Sequence, residues 1–242
     1  MPLRSALASV HRVCGLLFYL GLVTSSGGTG CGVPEDAEPP REIAAAAAFP
    51  LRAAPCPTDM VAFTGFCMDR FEAPNQAGVP PLAMRTATDG VAFCAALGKR
   101  LCSEAEWVTA CQGPAGLPYP YGKTYQRSRC NDDKTWKVPS WTVLGTWPSA
   151  AAQAEAKRLY QADPSGRRSG CVSTDGVQDL TGNVAEWVVR SFPNSHNYDH
   201  VLKGCYWSGC YGGSPPSCSF VNPAHPGTFR TYEAGFRCCL TR

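Results

Sequence analysis

The sequence predicts an α+β domain that is rich in loops and stapled by disulfides, and three observations carry this. Two short strand-like runs and two helical patterns stand close together after Cys56. Past Gln112 the chain turns rich in Gly, Pro, Tyr and Trp, with apolar fragments too short to show a regular period. Cysteine is abundant: of 14, Cys14 and Cys31 fall in or next to a leader, and the 12 that remain are an even number that suits six disulfides in an oxidising compartment. No C-x₂-C pair stands with a second pair or with a His pair at zinc spacing.

In chain order, 242 residues bound the molecule at one or two domains. Residues 1–30 read as a secretory signal: Arg4 and Arg12 give a positive start, Val13 to Val23 an apolar run too short to span a bilayer, and Thr24 to Gly30 a small polar end. Gly28-Thr29-Gly30 before Cys31 is similar to a lipobox, so Cys31 is expected to carry lipid as the mature N-terminus. Residues 31–55 read as a mobile tether, because Pro39-Pro40, three acids and the Ala44 to Ala48 run offer no paired apolar face. The formal charge of +3 falls to +1 without Arg4 and Arg12, and no basic patch is present, so nucleic acid is not an expected partner.

The domain itself is assigned to residues 56–242. Asp59 to Phe63 and Phe66 to Asp69 flank Thr64-Gly65 as a hairpin, with Cys56 and Cys67 placed to staple it. Thr88 or Asp89 is expected to cap a helix running to Leu97, with Val91, Cys94, Ala95 and Leu97 as its apolar stripe and Gly98 as its end. Ser103-x-x-Glu106 is a capping box, and Trp107, Ala110 and Cys111 then recur at helical spacing. Ala150 to Gln161 reads as a surface helix, and Asp163-Pro164-Ser165-Gly166 as a turn.

The stretch Asp179-Leu180-Thr181-Gly182-Asn183-Val184-Ala185-Glu186-Trp187 puts a tight polar turn directly before an acid and a large aromatic. Two readings fit. In one, Asp179, Glu186 and the turn's carbonyls form a hard oxygen cage for Ca²⁺. In the other, Asp179 caps backbone amides and Glu186 pairs with an arginine.

The same stretch, through Gly182-Asn183-Val184 and Glu186-Trp187, resembles the signature of the formylglycine-generating enzyme family, the sulfatase-modifying factors. Gly98 to Trp107 is similar to the family's G-K-R-L-P-T-E-A-E-W. Tyr119-Pro120-Tyr121-Gly122 with Asn131, Val201 to Gly204 with Trp207, and Gly235-Phe236-Arg237-Cys238 complete five landmarks in the family's order. The resemblance implies the loop-rich formylglycine-generating-enzyme fold, a variant of the C-type-lectin-like kind. It also implies that Asp179 and Glu186 give side-chain oxygens, and Gly182 and Val184 carbonyls, to a structural Ca²⁺, with Asn131 matching one ligand of a second site.

Active members of the family use copper and O₂ to convert a cysteine in a sulfatase C-x-P-x-R stretch, through two cysteines spaced C-x₄-C, soft thiolates being what Cu(I) prefers. Cys205 and Cys210 have that spacing but stand early, with Cys205 at the second glycine of the family's G-G. An ungapped match forward from Gly204 puts Gly209 at the first catalytic position, and one backward from Gly235-Phe236-Arg237 puts Ser214 at the second. Two functions are therefore carried forward. The favoured one is a non-oxidase binding or structural module, lipid-anchored at the bacterial envelope, meeting the membrane only through that anchor. The alternative is a formylglycine-generating oxidase with a displaced Cys205/Cys210 pair, acting on an exported sulfatase. An envelope protein or a glycan is the other expected partner. The oxidase needs both thiols reduced and facing a cleft, whereas the module is expected to lock them in bridges to other cysteines. His196-x₃-His200 resembles half of an iron motif but has Leu202 where the acid belongs, and no G-x-S-x-G elbow presents a serine.

Overall fold

The computed structural model describes residues 55–242; the leader, Cys31 and all of the tether but Pro55 lie outside the described residues. Strands β1 (Met60–Phe63) and β2 (Phe66–Asp69) form the expected hairpin, with Gly65 at φ +85° in its turn, Phe63 stacked on Phe66, and Cys56 bonded to Cys67.

Helix α1 (Ala87–Ala96) is capped by Thr86, ahead of the expected Thr88 or Asp89. The Thr86 hydroxyl accepts from the Asp89 N–H at 3.0 Å, and the Asp89 carboxylate accepts from the Thr86 N–H at 2.9 Å. Its buried stripe is Ala87, Gly90 and Cys94, while Val91 and Leu97 face solvent. The reason is close approach: a Cβ on Gly90 would lie 3.0 Å from both Leu101 and Phe236, so the helix lies flush on the face where it has no side chain. After β3 (Arg100–Leu101), α2 (Glu104–Gln112) carries the expected Ser103/Glu106 box and buries Trp107, Ala110 and Cys111.

A short α3 (Trp141–Leu144) leads to α4 (Ala150–Leu159), capped by Ser149. Helix α4 stops two residues short of Gln161 because Tyr160 turns inward, its ring 5.4 Å from that of Trp207 and its hydroxyl donating to the Pro81 carbonyl at 2.9 Å. The remaining strands are β4 (Ala185–Val189), β5 (His200–Lys203), β6 (Val221–Asn222), β7 (Ala234–Phe236) and β8 (Cys238–Thr241).

Two four-stranded sheets result, in the orders β1-β2-β8-β3 and β6-β5-β4-β7; only the β4–β7 pairing in them is parallel. One apolar cluster gathers Trp187, Trp207, Leu101, Leu202 and Phe236, and a second gathers Trp107, Met68, Val188 and Val201. Among the described residues all 12 cysteines pair, the longest reaches being Cys94–Cys238, Cys102–Cys239 and Cys111–Cys218. Helices and sheets in one disulfide-dense domain are the α+β class that the sequence predicts. No helix among the described residues is long and apolar enough to cross a membrane.

Candidate functional site

The Asp179–Trp187 stretch is the hub that positions the site. Gly182 and Gly204 both have positive φ, +77° and +81°, and a Cβ on either would lie 2.4 Å from a backbone oxygen, of Asn131 and Leu180 respectively. Their bareness lets the Gly182 N–H donate to the Gly204 carbonyl at 2.7 Å, and the Trp207 N–H donate to the Asn183 carbonyl at 2.9 Å. The Asn183 side chain then closes the turn. Its Nδ2 donates to Glu72 Oε2 at 2.6 Å, and its Oδ1 accepts from Asn131 at 3.0 Å and from the Asp163 N–H at 2.8 Å. Glu72 also accepts from the Val184 N–H at 3.1 Å, so this one buried carboxyl clamps two residues of the turn. Burial first, and then the nearby Asp179 and Glu186 carboxylates, hold Glu72 well above the usual carboxylate range.

Asp179 and Glu186 sit as the capping and pairing reading expects. Asp179 accepts from the Gly166 N–H at 2.7 Å, and burial raises it to about 6. Both Glu186 oxygens are engaged: Oε1 and Oε2 accept from Arg237 at 2.6 and 2.7 Å, and Oε2 accepts also from the Trp107 indole at 3.0 Å. Arg237, fully buried like Glu186, donates further to the carbonyls of Asp69 and Gln178. A guanidinium thus stands where the calcium reading puts a cation. Asp179, Gly182 and Val184 lie in the turn and Glu186 on β4, but both Glu186 oxygens are already hydrogen-bonded to Arg237 and Trp107, so the four as they lie do not fit a Ca²⁺ cage. Asn131 Nδ2 donates to Asn183 and to the Gln161 carbonyl, and its Oδ1 accepts from Arg168 at 3.4 Å.

The segment after β5 carries the cysteines. Cys205 has φ +63°, the conformation of the glycine it resembles, and is bonded to Cys210; neither expected arrangement is found, since the two are not reduced and not bridged to other cysteines. Between them Tyr206 and Gly209 exchange backbone hydrogen bonds in a tight turn, with Gly209 at φ +91°. Both sulfurs being consumed, the pair as it stands does not fit copper. Gly209 has no side chain to offer a metal, and Ser214 is exposed on a loop.

Around this disulfide the structure gathers aromatic rings that sequence reasoning did not bring together. Tyr206 lies 5.7 Å from Tyr211 and 6.4 Å from Tyr232, and Trp207 and Trp141 lie 6.1 and 6.0 Å from Tyr232. The Trp136 indole donates to the Tyr232 hydroxyl at 3.1 Å. Trp136, Trp141 and Tyr211 remain 52%, 55% and 50% exposed, so the cluster leaves a large aromatic area open to solvent. Beneath it, buried Glu233 accepts from the Tyr211 hydroxyl and, at 2.6 Å, from Thr231; burial raises its pKa. Segment 131–136 packs alongside: the Lys134 N–H donates to the Trp207 carbonyl at 2.8 Å, and buried Asp132, raised to about 6 by burial, leaves one oxygen without a partner. What could have signalled the patch is the density of Trp and Tyr past Gln112; what could not is which rings meet. His200 on β5 pairs with Val189 of β4 and His196 stacks on Tyr198, and among the described residues no cluster of three or more His, Cys, Asp or Glu is placed to hold a metal ion.

Short paired elements, long loops locked by a buried arginine–glutamate pair, and a disulfide-rich core define a scaffold of the formylglycine-generating-enzyme kind. The chain matches the sulfatase-modifying factor enzyme 1-like domain over residues 38–242, and it belongs to that family. It is 29% identical over 153 residues to "Inactive C-alpha-formylglycine-generating enzyme 2" of Bos taurus and 28% identical to the Mus musculus protein of that name, covering 62% of this chain and 46% of each relative. The chain thus spans about half the length of the curated relatives it matches. The solved structure of CarF, 16% identical, superposes with a TM-score of 0.50 over 73% of this chain and 86% of that one. Treponema denticola variable protein 1, 15% identical, gives 0.50 over 73% and 84%. At such identities the likeness is one of fold.

Proposed function

We propose that this chain is a non-oxidase binding module, held at the bacterial envelope by a lipid on Cys31, which takes its ligand on the aromatic patch. The observation that carries this reading is the half-exposed trio Trp136, Trp141 and Tyr211 beside a closed Cys205–Cys210 disulfide. Rings with exposed faces bind by stacking and area burial, and contribute no nucleophile of their own. The bovine relative is named as inactive, in agreement with this reading. The ligand class that suits the patch is a glycan chain, whose sugar C–H faces stack on indole and phenol rings.

The test is a tryptophan-fluorescence titration of the exported protein with envelope-derived oligosaccharides, alongside a Trp136→Ala/Trp141→Ala variant. Saturable quenching lost in the variant supports the reading; equal response in both removes it. Mass spectrometry checks the anchor, since an unmodified peptide spanning Gly28 to Val33 in cell-associated protein would contradict lipidation.

One observation favours a second reading. Cys205 and Cys210 are bonded to each other, so reduction alone yields two adjacent thiols at the spacing of the family's oxidases. If it is an oxidase, the protein with copper, a reductant and a C-x-P-x-R peptide forms aldehyde, and turnover disappears in both Cys205→Ser and Cys210→Ser while folding is retained.

A further inference from the structure

Away from the aromatic patch, a buried amine faces a cavity. Lys203 on β5 has a side chain only 2% exposed, yet its Nζ is 3.9 Å from Glu104 Oε1, beyond hydrogen-bonding reach, and 5.3 Å from the centroid of the Trp107 ring. Glu104 is fixed by the N–H groups of Ser191 and Phe192, which donate to its other oxygen at 3.2 and 3.4 Å, so that oxygen is held away from the lysine. Lys203 and Glu104 both line a cavity of about 310 Å³, whose walls include Val108, Phe192, Val221 and Asn194.

We propose that this cavity takes small apolar aldehydes, the Lys203 amine condensing reversibly with the carbonyl carbon to form an imine. The lone pair of Nζ forms the C–N bond as the carbonyl π pair moves to oxygen, which takes up the proton leaving nitrogen. The carbinolamine then loses its hydroxyl as water while nitrogen forms the second bond to carbon. One amine and one aldehyde give one imine and one water, with no oxidant or reductant. Three features select this ligand. Glu104 repels carboxylates and phosphates, Val108, Phe192, Pro193 and Val221 offer apolar surface beside the polar Gln112, Asn194 and Ser219, and a protonated imine keeps a cation beside Glu104, so the charge balance of the pocket survives the reaction. Burial in addition lowers the lysine to about 8, against the pull of Glu104. At pH 7 roughly a tenth of the amine is then neutral and nucleophilic, against well under a hundredth for an exposed lysine.

The probe is 3-methylbutanal with cyanoborohydride at pH 7.5, which traps the imine as a secondary amine located by peptide mass spectrometry. Exposed Lys123 and Lys157 serve as internal references. Labelling of Lys203 at least tenfold faster than of these two is expected, and Val108→Trp, which fills the cavity, is expected to abolish that excess while leaving the references unchanged. Labelling of Lys203 in the wild-type protein no faster than the references overturns the proposal, and so does an excess that persists in a folded Val108→Trp variant. Should that variant fail to fold, the ratio in the wild-type protein decides alone.

Discussion

Arg237 and Glu186 meet side-on in the fully buried interior, with guanidinium nitrogens 2.6 and 2.7 Å from the two carboxylate oxygens, and so join β4 to the residue between β7 and β8. Removing one partner leaves the other charged and unpaired in a medium that solvates it poorly. Arg237→Met is therefore expected to cost about 3–5 kcal/mol, while Arg237→Met with Glu186→Gln recovers part of that loss. Urea unfolding of the three proteins measures it; a cost below about 1 kcal/mol would show the pair to be dispensable.

With the guanidinium in this place, calcium has no free Glu186 oxygen to bind. Thermal unfolding with excess chelator and with millimolar Ca²⁺ is expected to give the same midpoint. A rise with Ca²⁺ that vanishes in Asp179→Asn would restore the cage.

Disulfides here differ in what they close. Cys205–Cys210 spans 5 residues and Cys94–Cys238 spans 144, so chain-entropy reasoning gives about 2 kcal/mol for the first and about 5 for the second. Paired Ser substitutions are expected to rank in that order in chemical unfolding. An equal or reversed ranking would falsify the loop-entropy account of these bridges.

Asp132 supplies a pH dependence. Burial raises its folded pKa to about 6 from 3.8, so its native environment favours the proton. The stabilisation is full below the unfolded value and is lost as pH rises through about 6. Relative to wild type, Asp132→Asn should therefore gain stability between pH 4 and pH 7, on the order of 1 kcal/mol once solvent screening is allowed for. Paired melting curves across that range check the sign, and a flat difference refutes it.

Local features were legible in the sequence. The β1–β2 hairpin with Cys56–Cys67, and the Ser103/Glu106 box of α2, are decided within a dozen residues by turn and cap chemistry. The cap of α1 was not: Thr88 or Asp89 was expected and Thr86 is used, with Gly90 pressed against Leu101 and against Phe236, which is distant in sequence. Glu72 was missed altogether. It stands in no motif, and its partner Val184 is 112 residues away. For Cys205 and Cys210 the spacing allowed a mutual bond, but only the Tyr206–Gly209 turn brings their sulfurs together.

Cys238 and Cys239 are neighbours on β8, and since successive side chains of a strand point to opposite faces, one reaches Cys94 in α1 and the other Cys102 before α2. Both circuits therefore wait on a single dipeptide made more than 130 residues after their first halves. During synthesis Cys94 and Cys102 emerge long before their partners exist, free to be oxidised with each other or with Cys111. Correct closure is thus a matter of timing: a cell making this protein must either hold those early thiols reduced until β8 arrives or reshuffle what has already formed.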